Sequence, residues 1–478
     1  MTKIQLPPYK QVALIFQGGG ALGSYQAGVY EGLASAGIEP TWVAGISIGS
    51  INAALVAGNP PEKRVERLHE FWDTVCRPPS MTASFVTEAV NTLGFGFAPF
   101  QETIKNTVDK AFGSFAASMA ILEGQNEFFY PRPFAPGFGN PSQISFYDTS
   151  PLRSTLERLV DFDRINHKDA MRISLGSTNV GTGNFVFFDN HHMVIGPEHV
   201  MASGSLPPGF PATEIDGEFY WDGGCVSNTP LMYIMNETAS LDSLIFQVDL
   251  WSAHGKLPSN IFEISERQKD IQYSSRTRAI TDTVRNMHRM RQLLLETIDR
   301  IPEAVRKADP FFAQMADHAM GSSFNVIQLI YQNKTGEGQY KDAEFSSESM
   351  QRHWAMGLAD MNDTFSDPGC LEIPSKGENF VTYDVHRKAR FTAESPDPMF
   401  NQNATMAYVF ETTTGQGGSV KHPEKQLVAP KASVKAVANK PVQAETRLAG
   451  PLTATKAAAT VTKKPVAKSS AKPTARKA

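Results

Sequence analysis

The sequence has no hydrophobic run long enough to cross a bilayer. No stretch approaches the roughly 18 to 20 uncharged apolar residues that a spanning helix needs, which argues against an integral membrane protein. The first ten residues are polar, carry two prolines and show no apolar signal core, so export is not expected. Cysteine is scarce. Cys76, Cys225 and Cys370 are odd in number and far apart, which excludes a disulfide framework and a CxxC metal site and points to a reducing, cytoplasmic setting. His191 and His192 lie in a polar turn without an Asp, Glu or His at ligand spacing, so they read as a surface turn and no metal is expected. Aromatic residues are absent from Ser419 to Ala478, which holds 13 Lys plus Arg against Glu424 and Glu445. That segment buries too little apolar surface to offset chain entropy and is expected to be disordered. Its charge suits a polyanion such as nucleic acid, an anionic membrane or a charged granule, and it equally suits a solubilising tail without a partner.

The remainder is acidic, with 32 basic and 47 acidic residues in 1–418. The chain is 41% hydrophobic over 478 residues, enough for a sizeable core with added elements. Gln11–Phe16 reads as a short apolar strand. After a glycine turn, Leu22, Tyr25, Val29, Leu33 and Ala36 recur at helical spacing until Gly37. Trp42–Ala44 is a second strand, followed by an apolar helix over 51–57 and another helix from Glu62. Strand, helix, strand, helix at this spacing predicts an α/β fold with a parallel sheet. Later strands are expected at 172–176, 185–188, 243–249 and 325–332, with helices at 150–160 and 346–361. Residues 261–307 read as a long helical region in which Ile280, Val284, Met287, Leu294, Ile298 and Ile301 form one apolar stripe. Residues 76–146, dense in Gly, Pro and Phe, read as a lid-like insertion whose Phe residues either meet acyl chains or pack on the sheet.

Three glycine motifs carry the chemistry. Gly45-Ile46-Ser47-Ile48-Gly49, between a strand and an apolar helix, has the form of a nucleophile elbow. Glycines two residues before and after the serine leave room for the neighbouring strand and helix. The plainer alternative makes Ser47 a helix N-cap. Gly18-Gly19-Gly20-Ala21-Leu22-Gly23 also matches the dinucleotide pattern G-x-G-x-x-G. The second strand, however, ends in Gly45-Ile46-Ser47 instead of an acid, so no dinucleotide is expected. Three glycines at a strand end instead offer backbone N–H groups, the donors that an oxyanion hole requires. The third motif is Trp221-Asp222-Gly223-Gly224. A serine nucleophile needs a base. His254 and His288 are the candidates for a triad, whereas Asp222 acting directly on Ser47 uses the motifs that are present. Asp216 reads as part of a hairpin turn, Cys225 as a small buried residue, and Asn228 as a possible brace for the Asp222 loop.

The triple glycine, the GxSxG and the distant Asp222-Gly223-Gly224 in this order resemble the patatin-like phospholipase family, in particular a bacterial subgroup with a C-terminal extension. Ala202-Ser203-Gly204-Ser205-Leu206-Pro207 and Asn228-Thr229-Pro230 add to the resemblance, which covers about residues 11–250. It implies a three-layer α/β/α fold, with an acyl hydrolase domain over 11–250 and a mixed helical extension over 251–410, ahead of the basic tail over 411–478 that composition leaves disordered. It implies a serine lipid acyl hydrolase acting on fatty-acyl esters through an acyl-enzyme. Ser47 would be the nucleophile and Asp222 the general base, with Gly18, Gly19 and Gly20 forming the oxyanion hole and Gly23, Gly45, Gly49, Gly223 and Gly224 supporting the motifs. No cofactor is implied. Many members carry Arg or Lys in the glycine loop where this chain has Leu22, which leaves the loop without a charge for a phosphate headgroup. The alternative function is a scaffold on the same fold, with an idle elbow and a basic tail tethering it to a membrane or granule.

Overall fold

The computed structural model describes residues 3–76, 123–133, 138–238, 241–274, 277–319, 323–332, 340–375 and 380–392. These belong to a compact unit spanning Met1–Ala407. The basic tail and most of the expected lid-like insertion lie outside the described residues.

The chain opens as the periodicity predicts. Strand β1 (Gln11–Phe16) leads through the glycine turn into helix α1 (Ser24–Ser35), and β2 (Trp42–Ile46) leads into α2 (Ile48–Ala57). Gly37, at φ 75°, takes the left-handed conformation that ends α1. Every residue of α2 is buried, as suits a helix that is apolar on all sides. Helix α3 (Pro61–Val75) follows. Strands β3 (Tyr130–Pro131) and β4 (Tyr147–Asp148) form a separate small ribbon. After helices at Ser150–Leu159, as expected, and Phe162–Ile165 come β5 (Arg172–Asn179), β6 (Phe185–Asp189), α4 (Pro197–Ser203), β7 (Thr213–Ile215), β8 (Glu218–Asp222), α5 (Leu231–Glu237) and β9 (Ser243–Asp249). Asp216 and Gly217, both with positive φ, make the two-residue turn between β7 and β8, the geometry that Asp-Gly favours.

The segment after β9 completes the same sheet. The helical region expected over 261–307 is three helices, α6 (Ile261–Tyr273), α7 (Thr277–Asp299) and a short one at Glu303–Ala308; Pro302 stands at the last break. Of the expected apolar stripe, Ile298 is buried, Leu294 and Ile301 are half-buried and Met287 is exposed. The side chains of Ile280 and Val284 lie outside the described residues. Strand β10 (Phe324–Ile330), helix α8 (Ser347–Phe365) and strands β11 (Phe380–Asp384) and β12 (Ala389–Thr392) follow.

Among the described residues the main sheet has ten strands in the order β12-β11-β10-β9-β1-β2-β5-β8-β7, with β6 on β5. From β11 to β5 all neighbours are parallel. Both faces are covered, so the central strands are apolar on both sides. Val12, Leu14 and Phe16 face one hydrophobic cluster with α1, α2 and α3, while Ala13 and Ile15 face a second cluster with Leu231 and Ile234 of α5. The result is a sheet between helical layers, a mixed α/β architecture.

Helix α8 is joined to α1 at glycine contacts. A Cβ on Gly28 would lie 2.0 Å from the Trp354 carbonyl oxygen, and one on Gly357 would lie 2.0 Å from that of Tyr25. A Gly-to-Ala change inside a helix ordinarily stabilises by about 1 kcal/mol. Here Gly28→Ala is expected to destabilise by about 1–3 kcal/mol, the cost of overpacking, read as a lower urea midpoint. A raised midpoint would show that the helices do not approach this closely.

Candidate active site

The parallel strands end at one edge, and the loops leaving them converge there, the usual place for a site in such sheets. Gly18 to Gly20 follow β1, Ser47 follows β2 and Trp251 follows β9. Strand β5 brings in the carboxylate. Its pairing with β2 ends at Ile46↔Gly176, and the next residue, Ser177, pairs with Asp222. Strand β6 lies across residues 174–178 and so occupies the other edge. Antiparallel β8 therefore continues along the edge that β2 vacates, and its last residue arrives beside the serine.

Ser47 has φ 57° and ψ −126°, a conformation that L-residues rarely adopt. Its N–H donates to the Ser203 carbonyl at 3.1 Å and also meets Ser203 Oγ at 3.1 Å, while Ser203 Oγ donates to the Gly176 carbonyl at 2.6 Å. The flanking glycines are required by space. A Cβ on Gly45 would lie 2.2 Å from the Gly49 carbonyl oxygen, and one on Gly49 would lie 2.4 Å from that of Phe16. The Ser47 side chain makes no capping bond to its helix. It faces the Asp222 carboxylate instead, near enough to favour that group's charged form.

Asp222 is 2% exposed. Burial pushes its carboxyl up to about 6, opposed by the adjacent Ser47 hydroxyl and by the hydrogen bond from the Gly224 N–H at 2.6 Å. Gly223 lets the turn lie flat on β5, because a Cβ there would be 2.6 Å from the Gly176 carbonyl oxygen.

The glycine loop is held from several sides. The Gly18 N–H donates to Asn228 Oδ1 at 3.2 Å, and Asn228 Nδ2 donates to the Gly18 carbonyl at 3.0 Å and to that of Tyr273 at 2.9 Å. Asn228 thus braces the glycine loop, where the sequence suggested the Asp222 loop. Gly18 is also the one member of the expected oxyanion set whose N–H is engaged. The Gly19 and Gly20 N–H groups have no acceptor among the described residues. Gly20, at φ 56°, runs so close to the Asp342 backbone that a Cβ would lie 2.1 Å from its carbonyl oxygen. Gly23 packs on Ile48 and Trp72.

These groups open into one cavity of about 360 Å³. Its walls are largely apolar, with Ile51, Leu152 and Met201 beside an aromatic cluster of Phe128, Phe129, Tyr147, Phe210 and Phe345. Of the expected insertion, Phe128 and Phe129 therefore line the cavity, whereas Phe138 and Phe146 are exposed. Trp251, Tyr273, Asp342 and Phe345 also line it. No motif announced them; only the position of Trp251 at a strand end offered a signal.

Among the described residues no histidine lines the cavity. His254 is exposed and contacts Arg387, and the side chain of His288 lies outside the described residues. Cys225, expected to be buried, is exposed. Among the described residues no three His, Cys, Asp or Glu side chains converge as a metal site would require, and no helix is long and apolar enough to cross a membrane.

A family model described as patatin-like phospholipase matches residues 14–235, and one described as patatin phospholipase matches residues 271–377. No curated protein matches. Among solved structures, the crystal structure of VipD from Legionella pneumophila is similar at 12% identity, with 74% of this chain and 69% of that chain covered and a TM-score of 0.28, a likeness that carries no argument.

The raised pKa of Asp222 has a consequence for stability. The folded state holds this proton more tightly than the unfolded chain, whose value is near 3.8. The stabilisation is therefore complete below about pH 4 and is lost as pH rises through about 6. Asp222→Asn is expected to be more stable than the wild type by about 2–3 kcal/mol at pH 8, with the gap closing near pH 4. Thermal unfolding across pH measures this, and a gap that widens on acidification would refute it.

Proposed function

We propose that this chain, which belongs to the patatin-like phospholipases, is a serine acyl hydrolase that cleaves fatty-acyl esters through Ser47 and Asp222. The observation that carries the reading is the Ser47 hydroxyl beside a buried carboxylate, at the wall of an apolar cavity that also holds unpaired backbone donors. Ser47 Oγ attacks the ester carbonyl as its proton passes to Asp222, giving a tetrahedral intermediate whose oxyanion meets the Gly19 and Gly20 N–H groups. The C–O bond to the alcohol breaks, and the alcohol leaves with the proton from Asp222. Water then donates a proton to Asp222 and attacks the acyl-enzyme, and fatty acid departs as Ser47 regains its proton.

The cavity suits an acyl chain more than a charged headgroup. Leu22 is buried in the core, and among the described residues that line the cavity there is no Lys or Arg and the only carboxylates are Asp222 and Asp342. Neutral esters or thioesters fit these walls better than an anionic phosphate. The active reading is favoured over an idle scaffold because the strained Ser47 backbone is retained together with its carboxylate partner.

A fluorophosphonate probe is expected to label the wild type and not Ser47→Ala, and Ser47→Ala should lower kcat by about 10⁴-fold or more. Wild-type kcat/KM should fall below about pH 6, as protonated Asp222 can no longer accept the serine proton. Asp222→Asn should be nearly inactive and His254→Ala nearly normal. A loss of activity in His254→Ala comparable to that in Asp222→Asn would favour a triad. An unlabelled wild type would favour the scaffold.

The tail gives a separate expectation. Removing residues 419–478, with their 13 basic groups, should leave hydrolysis of a small soluble ester unchanged and weaken attachment to anionic vesicles at low salt. Unfolding of the truncated protein would contradict the disorder expected of this segment.

A further inference from the structure

The proposed oxyanion donors are useful only if their peptides are oriented before the reaction. In a planar trans peptide the carbonyl oxygen and the amide hydrogen point in opposite directions, so holding one aims the other. The Gly18 carbonyl and the Gly19 N–H share one peptide. That carbonyl accepts from the Trp251 indole Nε1 at 2.8 Å and from Asn228 Nδ2 at 3.0 Å. Both donors pull the oxygen to one side, leaving the Gly19 N–H turned the other way with no acceptor among the described residues.

The indole is itself fixed from behind. Trp251 is 3% exposed. The Lys341 ammonium stands 5.0 Å from its ring centroid, within cation–π range, and pairs with Asp270 at 2.6 Å. Lys341 and Asp270 are both buried, in a surrounding where an ion pair is rigid and costly to break. The residue after Lys341 brings its carbonyl against Gly20, and its carboxylate is held by Lys269 at 2.8 Å. Asp270 and Lys269 lie on α6, while Lys341 lies in a short turn before α8. Both segments follow β9 and lie outside the part of the chain that holds Ser47 and Asp222.

We propose that Trp251 is a positioning residue that fixes the Gly18–Gly19 peptide with its N–H toward the oxyanion, and that the Lys341–Asp270 pair holds the indole in place. Through these contacts the C-terminal segment sets the rate of the chemistry as well as completing the sheet. The inference rests on the acyl-hydrolase reading and names a determinant of the same site.

The test is Trp251→Phe, which removes the indole donor and keeps an aromatic ring. Kinetics with a p-nitrophenyl ester, corrected for active sites titrated with a fluorophosphonate, should show kcat lower by about 10–100-fold, part of the loss seen when an oxyanion donor is removed. KM should change less than about threefold. Inhibition by a trifluoromethyl ketone, which forms a tetrahedral adduct on the serine, should weaken in proportion to kcat. A purely structural role would reduce the titrated fraction and leave that proportionality absent. The double variant Lys341→Met with Asp270→Asn, which removes both buried charges together, should lower kcat in the same direction with KM nearly unchanged. Wild-type kcat and wild-type inhibitor affinity in Trp251→Phe would overturn the proposal while leaving the hydrolase reading intact. Wild-type kcat in the double variant would overturn the part given to the ion pair. A wild-type protein inert toward both ester and probe would overturn the hydrolase reading, and this inference with it.

Discussion

A carboxylate stripped of water beside a serine hydroxyl is the interaction on which the remainder of this structure depends. Asp222 is nearly inaccessible, and among the described residues its charge is compensated by the nearby Ser47 hydroxyl and the Gly224 amide. Burial of this kind is costly for a carboxylate, and the cost appears as a pKa raised into the range where a base can both accept and return a proton near neutrality. The arrangement requires a short antiparallel strand to end at the rim of a parallel sheet. Strand β5 makes this possible by outrunning β2, so that β8 pairs where β2 has stopped.

The serine side of the pair needs close backbone approach. Gly45 and Gly49 touch backbone carbonyls at distances that no Cβ could tolerate, and Ser47 is held at positive φ by Ser203. The glycine loop meets the same requirement from the opposite side, against Asn228, Trp251 and the Asp342 backbone. The cavity is thus built jointly by both matched segments of the chain, 14–235 and 271–377, with Trp251 between them. Glycines in α1 and α8 seat the later segment against the earlier one, and β10 and β11 extend the sheet. The second segment therefore shares one core with the first.

Much of this was legible in the order of residues. Strands at 11–16 and 243–249 and the helix ended by Gly37 follow from apolar periodicity, because burial on both faces leaves a continuous apolar run and a helix leaves a 3.6-residue pattern. The three glycine motifs marked Ser47, Asp222 and the loop at 18–20, since each needs a backbone that only glycine permits. Other features were less accessible. Strands β11 and β12 are short, as are β7 and β8 on either side of the turn that Asp216 and Gly217 announced, so their alternation is weak. Asn228 was correctly singled out but assigned to the wrong loop, because a side-chain amide at a turn can reach several neighbours and sequence does not rank them.

By itself, then, the sequence determined the local chemistry: which serine stands on a strained turn, which carboxylate stands before a pair of glycines, and where amide donors are free of side chains. These are properties of a residue and its immediate neighbours, so they are written locally. Only the tertiary structure decided that Gly18 spends its N–H on Asn228 while Gly19 and Gly20 do not. It alone brought the Lys341–Asp270 pair against Trp251, and Phe128 and Phe345 to one cavity wall. Those contacts join residues far apart in the chain, and the geometry of packing, which no spacing encodes, selects their partners.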